Sequence, residues 1–431
     1  MNKPFAFQKT WLFFFCVFFL FVSLSPNVFS ETFHEKKITG FGWQGTPAVS
    51  GSYVVWTDMR NNNYDIFMFD LIEGEERQIT LDMSAQLKAD ISGNFIVWED
   101  YRNLDSEIYL YDINSRVEKR ITFNRNEQLN PALDGNYVVW EDYRNGNSDI
   151  YLYDIDKDLE KQITDDPASQ IYPAISGRYI VWLDYRNDNS EIYLYDMDKE
   201  VEIRITDDQA YQGPPSISED KIVYSDYRHR SGNNEDNSEI YLYDIAKRRE
   251  KRITNDFNWK QINPRIQGKF IIWEEYRADS QGNIYLYNLM SGKSEKITNN
   301  FNMNVEPAIG KKIIAWQEIS GQENENDIFV AEIPEVPASG VVQFCEEINN
   351  LVKKDSIDQK VRESLVWILD GLRSADERQD YKSAAEGINS LLLFVIAQKA
   401  KNSISGNDAE EIIHKAEAMV GQLREKQKVA K

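Results

Sequence analysis

Residues 170–206 read QIYPAISGRYIVWLDYRNDNSEIYLYDMDKEVEIRIT. Pro173-Ala174-Ile175 is a short first strand, and Ser176-Gly177-Arg178 is a tight turn. Tyr179 to Leu183 is a second strand, rich in β-branched and aromatic residues. Arg186-Asn187-Asp188-Asn189 again carries turn chemistry, and Ile192 to Tyr195 is a third, apolar strand. Val201 to Thr206 alternates apolar and charged residues, as a solvent-facing edge strand does. The unit is therefore four strands long.

The unit recurs. The aromatic that ends its second strand stands at Trp56, Trp98, Trp140, Trp182, Tyr224, Trp273 and Trp316, at spacings of 42, 42, 42, 42, 49 and 43. The closing Ile-Thr begins at Ile38, Ile79, Ile121, Ile163, Ile205, Ile253 and Ile297. Four strands at a period near 42 predict the blades of a β-propeller. A solenoid would not need the second and third strands to be apolar on both faces. The last copy ends at Asp327-Ile328-Phe329-Val330 with no Ile-Thr after it, while Lys37-Ile38-Thr39 precedes the first blade without a sheet of its own. The N-terminal strand is expected to complete the last blade beside residues 327–332. The predicted fold is an all-β seven-bladed propeller with a small separate all-α bundle at the C-terminus.

The 431 residues are 42% hydrophobic and 28% charged, which excludes a mostly disordered chain. The net charge of −22 repels phosphate backbones and anionic lipid, so nucleic acid is not an expected partner. Two Cys exclude a disulfide scaffold, and three His leave little for a His-rich metal site. Neither a cofactor nor a metal is expected.

Residues 1–30 read as a secretory signal peptide: Lys3 and Lys9, then the apolar run Trp11 to Val22, then Val28-Phe29-Ser30 before a cut. The alternative is an uncleaved anchor. Cleavage removes two lysines and no acid, leaving −24 and Cys345 alone. A secreted, periplasmic or cell-surface location without a membrane span is expected.

The phrases PAISGRYIVW, DYRNDNSEIYLYD and RIT resemble the repeats of TolB-type propellers over roughly residues 36–333, within a propeller domain expected at 31–333. The resemblance implies a fold. Such repeats serve binding proteins, transport accessories and enzyme appendages alike. Seven copies depart from the six blades usual for TolB itself, so a role in the Tol envelope system is not carried over.

Residues 334–340 (PEVPASG) are a linker by composition, and beyond them the period changes to about 3.6. Apolar stripes at Val342, Cys345, Ile348, Leu351 and Val352, and at Val361, Leu365, Ile368, Leu369 and Leu372, mark two helices. Ala384 to Ala397 marks a third. Ser405 caps a fourth, with Asp408 three residues on. Residues 341–427 resemble the FIMAH domain at Ser356-Ile357-Asp358, Ser364-Leu365, Phe394-Val395-Ile396-Ala397-Gln398, Ile404-Ser405 and Asp408-Ala409. The namesake run departs from the family at Val395 and Gln398. The resemblance implies an extracellular accessory module of secreted bacterial proteins, many of them carbohydrate-active or surface-associated.

Three features are candidates for function. The second-strand aromatics are read as core. The pairs Asp58/Arg60, Asp100/Arg102, Asp142/Arg144, Asp184/Arg186, Asp226/Arg228 and Glu275/Arg277 are read as ion pairs that fix hairpins, since calcium needs more oxygens than each hairpin offers. The third is a carboxamide three residues before each first-strand Pro position: Gln44, Gln86, Gln128, Gln170, Gln212, Gln261 and Asn304. These seven are expected to ring one mouth of the channel, on the same face as the Asp-Tyr-Arg hairpins. They either bind a ligand or bond a neighbouring blade's backbone. Arg228 to Asn237 adds seven residues to blade five, with His229 and Arg230 as a positive spot.

No Gly-x-Ser-x-Gly elbow, His-Glu-x-x-His or phosphate loop is present, and the acids repeat as equivalents. The expectation is a non-catalytic binding or scaffold protein of the bacterial envelope, recognising a protein segment or a polysaccharide on that face. The alternative is a polysaccharide lyase or glycoside hydrolase with a helical accessory domain.

Overall fold

The structure, a computed structural model, describes residues 33–40, 42–229, 237–256, 259–277, 281–321, 326–334, 340–352, 357–377, 381–401 and 403–429. The leader expected at residues 1–30, most of the linker expected at 334–340, and Arg230 lie outside the described residues.

Seven four-stranded antiparallel sheets follow one another along the chain. In blade four the strands are Gln170–Ser176, Tyr179–Asp184, Glu191–Asp196 and Val201–Arg204, paired in that order from inside outwards. The hairpin between the first two turns at Gly177, whose φ of 53° lies in the left-handed region that a Cβ disfavours. The seven innermost strands touch their neighbours in a closed ring, blade seven against blade one included.

The core lies between blades. Val55, Ile66 and Met68 of blade one pack on Ile91, Ile96 and Trp98 of blade two, and the pattern repeats around the ring. Burial on both faces is why the second and third strands carry unbroken apolar runs. Six Trp and Tyr224 are fully buried there. Trp182 stacks on Tyr193 with centroids 6.2 Å apart, a geometry that adds about 1 kcal/mol beyond the area it buries. The outer strand Val201–Arg204 is exposed along its length.

The Ile-Thr repeat has a physical cause. The Thr206 hydroxyl accepts the Ile192 N–H at 2.8 Å and donates to Glu191 at 2.7 Å, locking the outer edge to the third strand. Blade seven obtains the same lock from the other end of the chain. Lys36 and Lys37 pair with Val330 and Phe329, and Ile38 N–H donates to Ile328 O at 3.0 Å. The expected closure is present.

Four helices follow: α1 Gly340–Val352, α2 Gln359–Glu377, α3 Tyr381–Ala400 and α4 Gly406–Val429. They bury one cluster that includes Cys345, Ile348, Leu365, Leu369, Ile388, Leu391, Val395, Ile412 and Ala416. Ser405 caps α4 as expected, its hydroxyl accepting the Asp408 N–H at 3.1 Å.

Candidate functional site

The hairpins joining second to third strands crowd one face of the propeller, and each is held by its acid and Arg. In blade three, Asp142 is fully buried and accepts from Trp140 Nε1 at 3.0 Å, from Arg144 N at 3.0 Å and from Arg144 Nε at 2.8 Å. Arg144 reaches on to Glu160 of the outer strand at 2.6 Å and lies over Tyr151, 4.2 Å from its centroid. Asp58, Asp100, Asp184 and Asp226 are bound in the same way by Arg60, Arg102, Arg186 and Arg228. In blade six Arg277 pairs with Glu275 at 2.8 Å. Blade seven has Ser320 at the Arg position, and its Trp316 donates instead to Asn304. These acids are committed to the hairpin, as the ion-pair reading expects, and the aromatics are core.

The carboxamides lie on the same face, at the start of the inner strands and not in the loops before them, where Gln44, Gln86, Gln128 and Gln170 pair with the hairpin acids Asp58, Asp100, Asp142 and Asp184. Gln44, Gln86, Gln128, Gln170, Gln212, Gln261 and Asn304 are all buried. In five blades the preceding turn wraps its own amide: Gln86 Nε2 donates to Ser84 O at 2.7 Å, Gln170 to Ala168 O at 2.5 Å and Asn304 to Asn302 O at 2.9 Å, and Gln128 and Gln212 donate likewise to Asn126 O and Ala210 O. Their backbone N–H groups cross to the preceding blade, Gln170 to Ser148 O at 2.9 Å and Gln86 to Tyr64 O at 2.7 Å. Inter-blade bonding is thus made by the main chain and, at Gln212 and Gln261, also by the side chain, whose Oε1 accepts from Thr206 or Thr254 of the preceding blade; the buried amides form no solvent-facing collar. The buried Oε1 atoms of Gln86, Gln128 and Gln170 accept no hydrogen bond from the described residues.

Two residues beyond the carboxamide the inner strand bulges in six of the seven blades. Thr46, Lys88, Asn130, Tyr172, Asn263 and Glu306 stand there with φ between 49° and 53°. Pro214 occupies the place in blade five, and its ring forbids that conformation. Left-handed Thr and Tyr are strained and persist where surroundings hold them. The hold is an acid one residue after the second-strand Trp. Glu99 accepts the Asn130 N–H at 2.7 Å, Glu141 the Tyr172 N–H at 2.6 Å and Glu274 the Glu306 N–H at 2.8 Å, each across a blade boundary. Tyr143 and Tyr276 add hydroxyl donors to Glu141 and Glu274, at 3.2 Å and 2.8 Å. Burial outweighs these donors and pushes the Glu141 and Glu274 carboxyls above the usual range. Burial, with the Glu99 charge, pushes Tyr101 up to about 12.

These three acids were not singled out from the sequence. Their signal was an acid inside an otherwise buried strand, as in VWED and IIWEE, beside the acid that had drawn notice.

The mouth is not evenly polar. Tyr172, Tyr185 and Tyr211 are 42%, 40% and 51% exposed at the junction of blades four and five. Burial raises the Tyr185 hydroxyl, and Tyr172, Tyr211 and Glu141 are near enough to act on it as well. His229 turns back onto its own blade, with Nε2 2.8 Å from the Tyr241 hydroxyl and its ring stacked on Tyr241. Among the described residues no group of three His, Cys, Asp or Glu comes together to hold a metal.

No family model matches the chain, and no curated protein matches it. Solved structures share the propeller. An oligogalacturonate lyase from Vibrio parahaemolyticus aligns with a TM-score of 0.55 at 12% identity, over 70% of this chain and 98% of that one. The β-propeller domain of the trilobed protease from Pyrococcus furiosus aligns at 0.52 and 14%, over 69% and 99%. A TolB-like protein from Agrobacterium tumefaciens aligns more loosely, at 0.40 and 16%, over 68% and 91%.

Proposed function

We propose that this chain is an exported, non-catalytic binding protein that holds a glycan or a protein segment on the looped face of its propeller. One observation carries the reading. The repeated acids of that face are bound by Arg, Tyr or main-chain N–H groups, while three tyrosines stand exposed together at the channel mouth. Aromatic faces beside polar groups give flat contact area at low entropic cost. The carboxamides brace the turns from which these tyrosines project. Among the described residues no helix is long and apolar enough to cross a membrane. In this reading the four helices are an accessory module of the FIMAH kind.

The rival is a carbohydrate-active enzyme, favoured by the likeness in fold to an oligogalacturonate lyase. Chain beginning at residue 31 is screened against neutral and acidic polysaccharides and an immobilised peptide library. Retention without product release supports the binding reading. Reducing ends or unsaturated products that persist through purification overturn it, as does the absence of any retention.

A further inference from the structure

The residue that opens the third strand meets the one that ends the outer strand at the rim of the looped face. In blades two, four and five the two are Glu107 and Arg120, Glu191 and Arg204, and Glu239 and Arg252, each an ion pair. Each guanidinium also donates through Nε to the carbonyl of the Thr two residues on, at 2.6 Å in Arg120, 2.7 Å in Arg204 and 2.8 Å in Arg252. In blade two it lies over Phe123 as well, 4.8 Å from the ring centroid. A cation therefore fills this place in three blades, on an apolar support in one of them.

Blade one keeps the place and lacks the cation. Asp65 and Gln78 stand there, Leu81 takes the position of Phe123, and a cleft of about 400 Å³ opens, lined also by Asn61, Asn63, Asp82 and Met83. Asp65 is buried, and its carboxylate accepts Asn61 Nδ2 at 3.0 Å, Gln78 Nε2 at 3.0 Å, Asn63 Nδ2 at 3.1 Å and the Thr80 hydroxyl at 3.3 Å. Four donors fill it, so it takes no ligand itself. It orients the amides instead. Their N–H groups are spent on it, those of Asn63 also on the Asp82 and Ser84 carbonyls, and the amide oxygens of Asn61, Asn63 and Gln78 meet no donor among the described residues. Asp82 adds a carboxylate, which the Ser84 N–H, 2.9 Å from its Oδ1, holds below the usual range. The Arg102 guanidinium, whose charge also reaches Asp82, is held by Asp100 and Glu118. Leu81 and Met83 are 81% and 95% exposed, so the cleft has uncovered apolar walls beside its acceptors. Blade three shares the Asp-Gln pair, but its Gln162 turns to the Thr164 carbonyl at 2.7 Å and Asp165 replaces Leu81.

We propose that the blade-one cleft receives a basic side chain of a protein partner, an arginine or a lysine, with its cationic head among the amide oxygens and Asp82 and its alkyl stem on Leu81 and Met83. Arg120, Arg204 and Arg252 are the internal precedent, since each puts a guanidinium at the equivalent place. Arg and Lys heads are donors only, which matches a lining of acceptors. Their long stems cover apolar surface while the head stays among polar groups. The net charge of −22 draws a basic segment towards the protein. The cleft belongs to blade one, whereas the exposed tyrosines belong to blades four and five, so the site does not rest on what those tyrosines bind.

The test is calorimetric titration of the full chain from residue 31, at pH 7.5 and low salt. The probes are capped pentapeptides Gly-Ser-X-Ser-Gly in which X is arginine, lysine, citrulline or norleucine. At least one basic peptide should bind ten-fold or more tightly than the citrulline and norleucine peptides. Asp82→Asn keeps the bond to Ser84 and should weaken that binding at least three-fold. Asp65→Glu with Gln78→Arg builds the blade-two pair in blade one and fills the cleft. It should fold, because three sister blades carry that pair, and should weaken binding at least ten-fold without lowering the melting temperature. The same exchange in blade three, Asp149→Glu with Gln162→Arg, should leave affinity unchanged. Circular dichroism checks each fold, and if the filled variant fails to fold, the citrulline comparison and Asp82→Asn decide. No heat from either basic peptide overturns the proposal. Equal affinity for citrulline, undiminished affinity in the filled variant or an equal loss in the blade-three exchange also overturns it. A polysaccharide retained at the tyrosines would be unaffected by any of these results.

Discussion

Thr39 Oγ1 donates to Asp327 Oδ1 at 3.2 Å although 288 positions separate the two residues. The same hydroxyl accepts the Ile328 N–H at 2.9 Å. Within blade two the corresponding partners, Thr122 and Glu107, are 15 positions apart. A local bond in the other blades thus becomes in blade seven the bond that closes the ring, with Lys37 and Asp327 adding an ion pair at 2.7 Å.

Loss of that clasp should cost stability out of proportion to its size. Thr39→Val should lower unfolding free energy by about 1–2 kcal/mol, the cost of orphaning a buried N–H and a partly buried acid. Deletion of residues 33–40 exposes the edge of Asn326–Glu332, and should broaden the urea transition and promote association through that strand. Urea melts followed by tryptophan fluorescence, with light scattering, measure both.

Asp142 is predicted to be structural. Asp142→Ala strands the Arg144 guanidinium and the Trp140 N–H together, and should cost about 3–5 kcal/mol. Arg144→Met removes a partly exposed partner and should cost less. If Asp142→Ala costs under 1 kcal/mol, the hairpin acid is not the anchor.

Gln170→Ala empties a buried pocket and frees the Ala168 carbonyl. The expected result is a fall of about 1–3 kcal/mol in stability, with affinity for a retained polysaccharide or peptide changed less than three-fold. A ten-fold loss of affinity with an unchanged melting temperature would instead make the carboxamide a ligand contact.

The exposed tyrosines should behave in the opposite way. Tyr185→Ala and Tyr211→Ala touch little of the core, so melting temperature should move by a degree or two. Affinity for the retained partner should fall about ten-fold in each, the scale of one aromatic contact of 1–1.5 kcal/mol. Binding that survives the double variant places recognition elsewhere.

Asp90 predicts a pH dependence with a definite sign. Burial raises its pKa from 3.8 to about 6, against the Leu133 and Ile91 N–H donors and the weaker Arg265 charge. Between pH 4 and 6 the folded chain keeps a proton that the unfolded chain has released. Stability from this group is therefore present at pH 4 and lost as pH rises through 6. Asp90→Asn removes that loss, so its melting temperature relative to the parent should rise from pH 4 to pH 7. A constant difference across that range would refute it.

Much of this was open to reading along the chain. The period near 42, the apolar Tyr-Ile-Val-Trp and Ile-Tyr-Leu-Tyr strands and the Ile-Thr pairs specify four strands per blade, because side-chain alternation and turn chemistry are local properties. Counting the copies sufficed for seven blades and for closure by residues 36–39. The hairpin ion pairs followed from residues two apart sharing a strand face.

What tertiary structure alone decided depends on register between blades. The carboxamides share a level and a face, as their spacing implies, but whether an amide points to solvent or folds into its own loop turns on a bulge and a left-handed residue two places on. Glu99, Glu141 and Glu274 gain their roles from N–H groups 31 or 32 residues downstream, and Asp90 from the Leu133 N–H 43 residues downstream. Such pairings carry no local signature. They arise when closure of the ring brings the edges of separate sheets together and desolvates whatever side chains stand there.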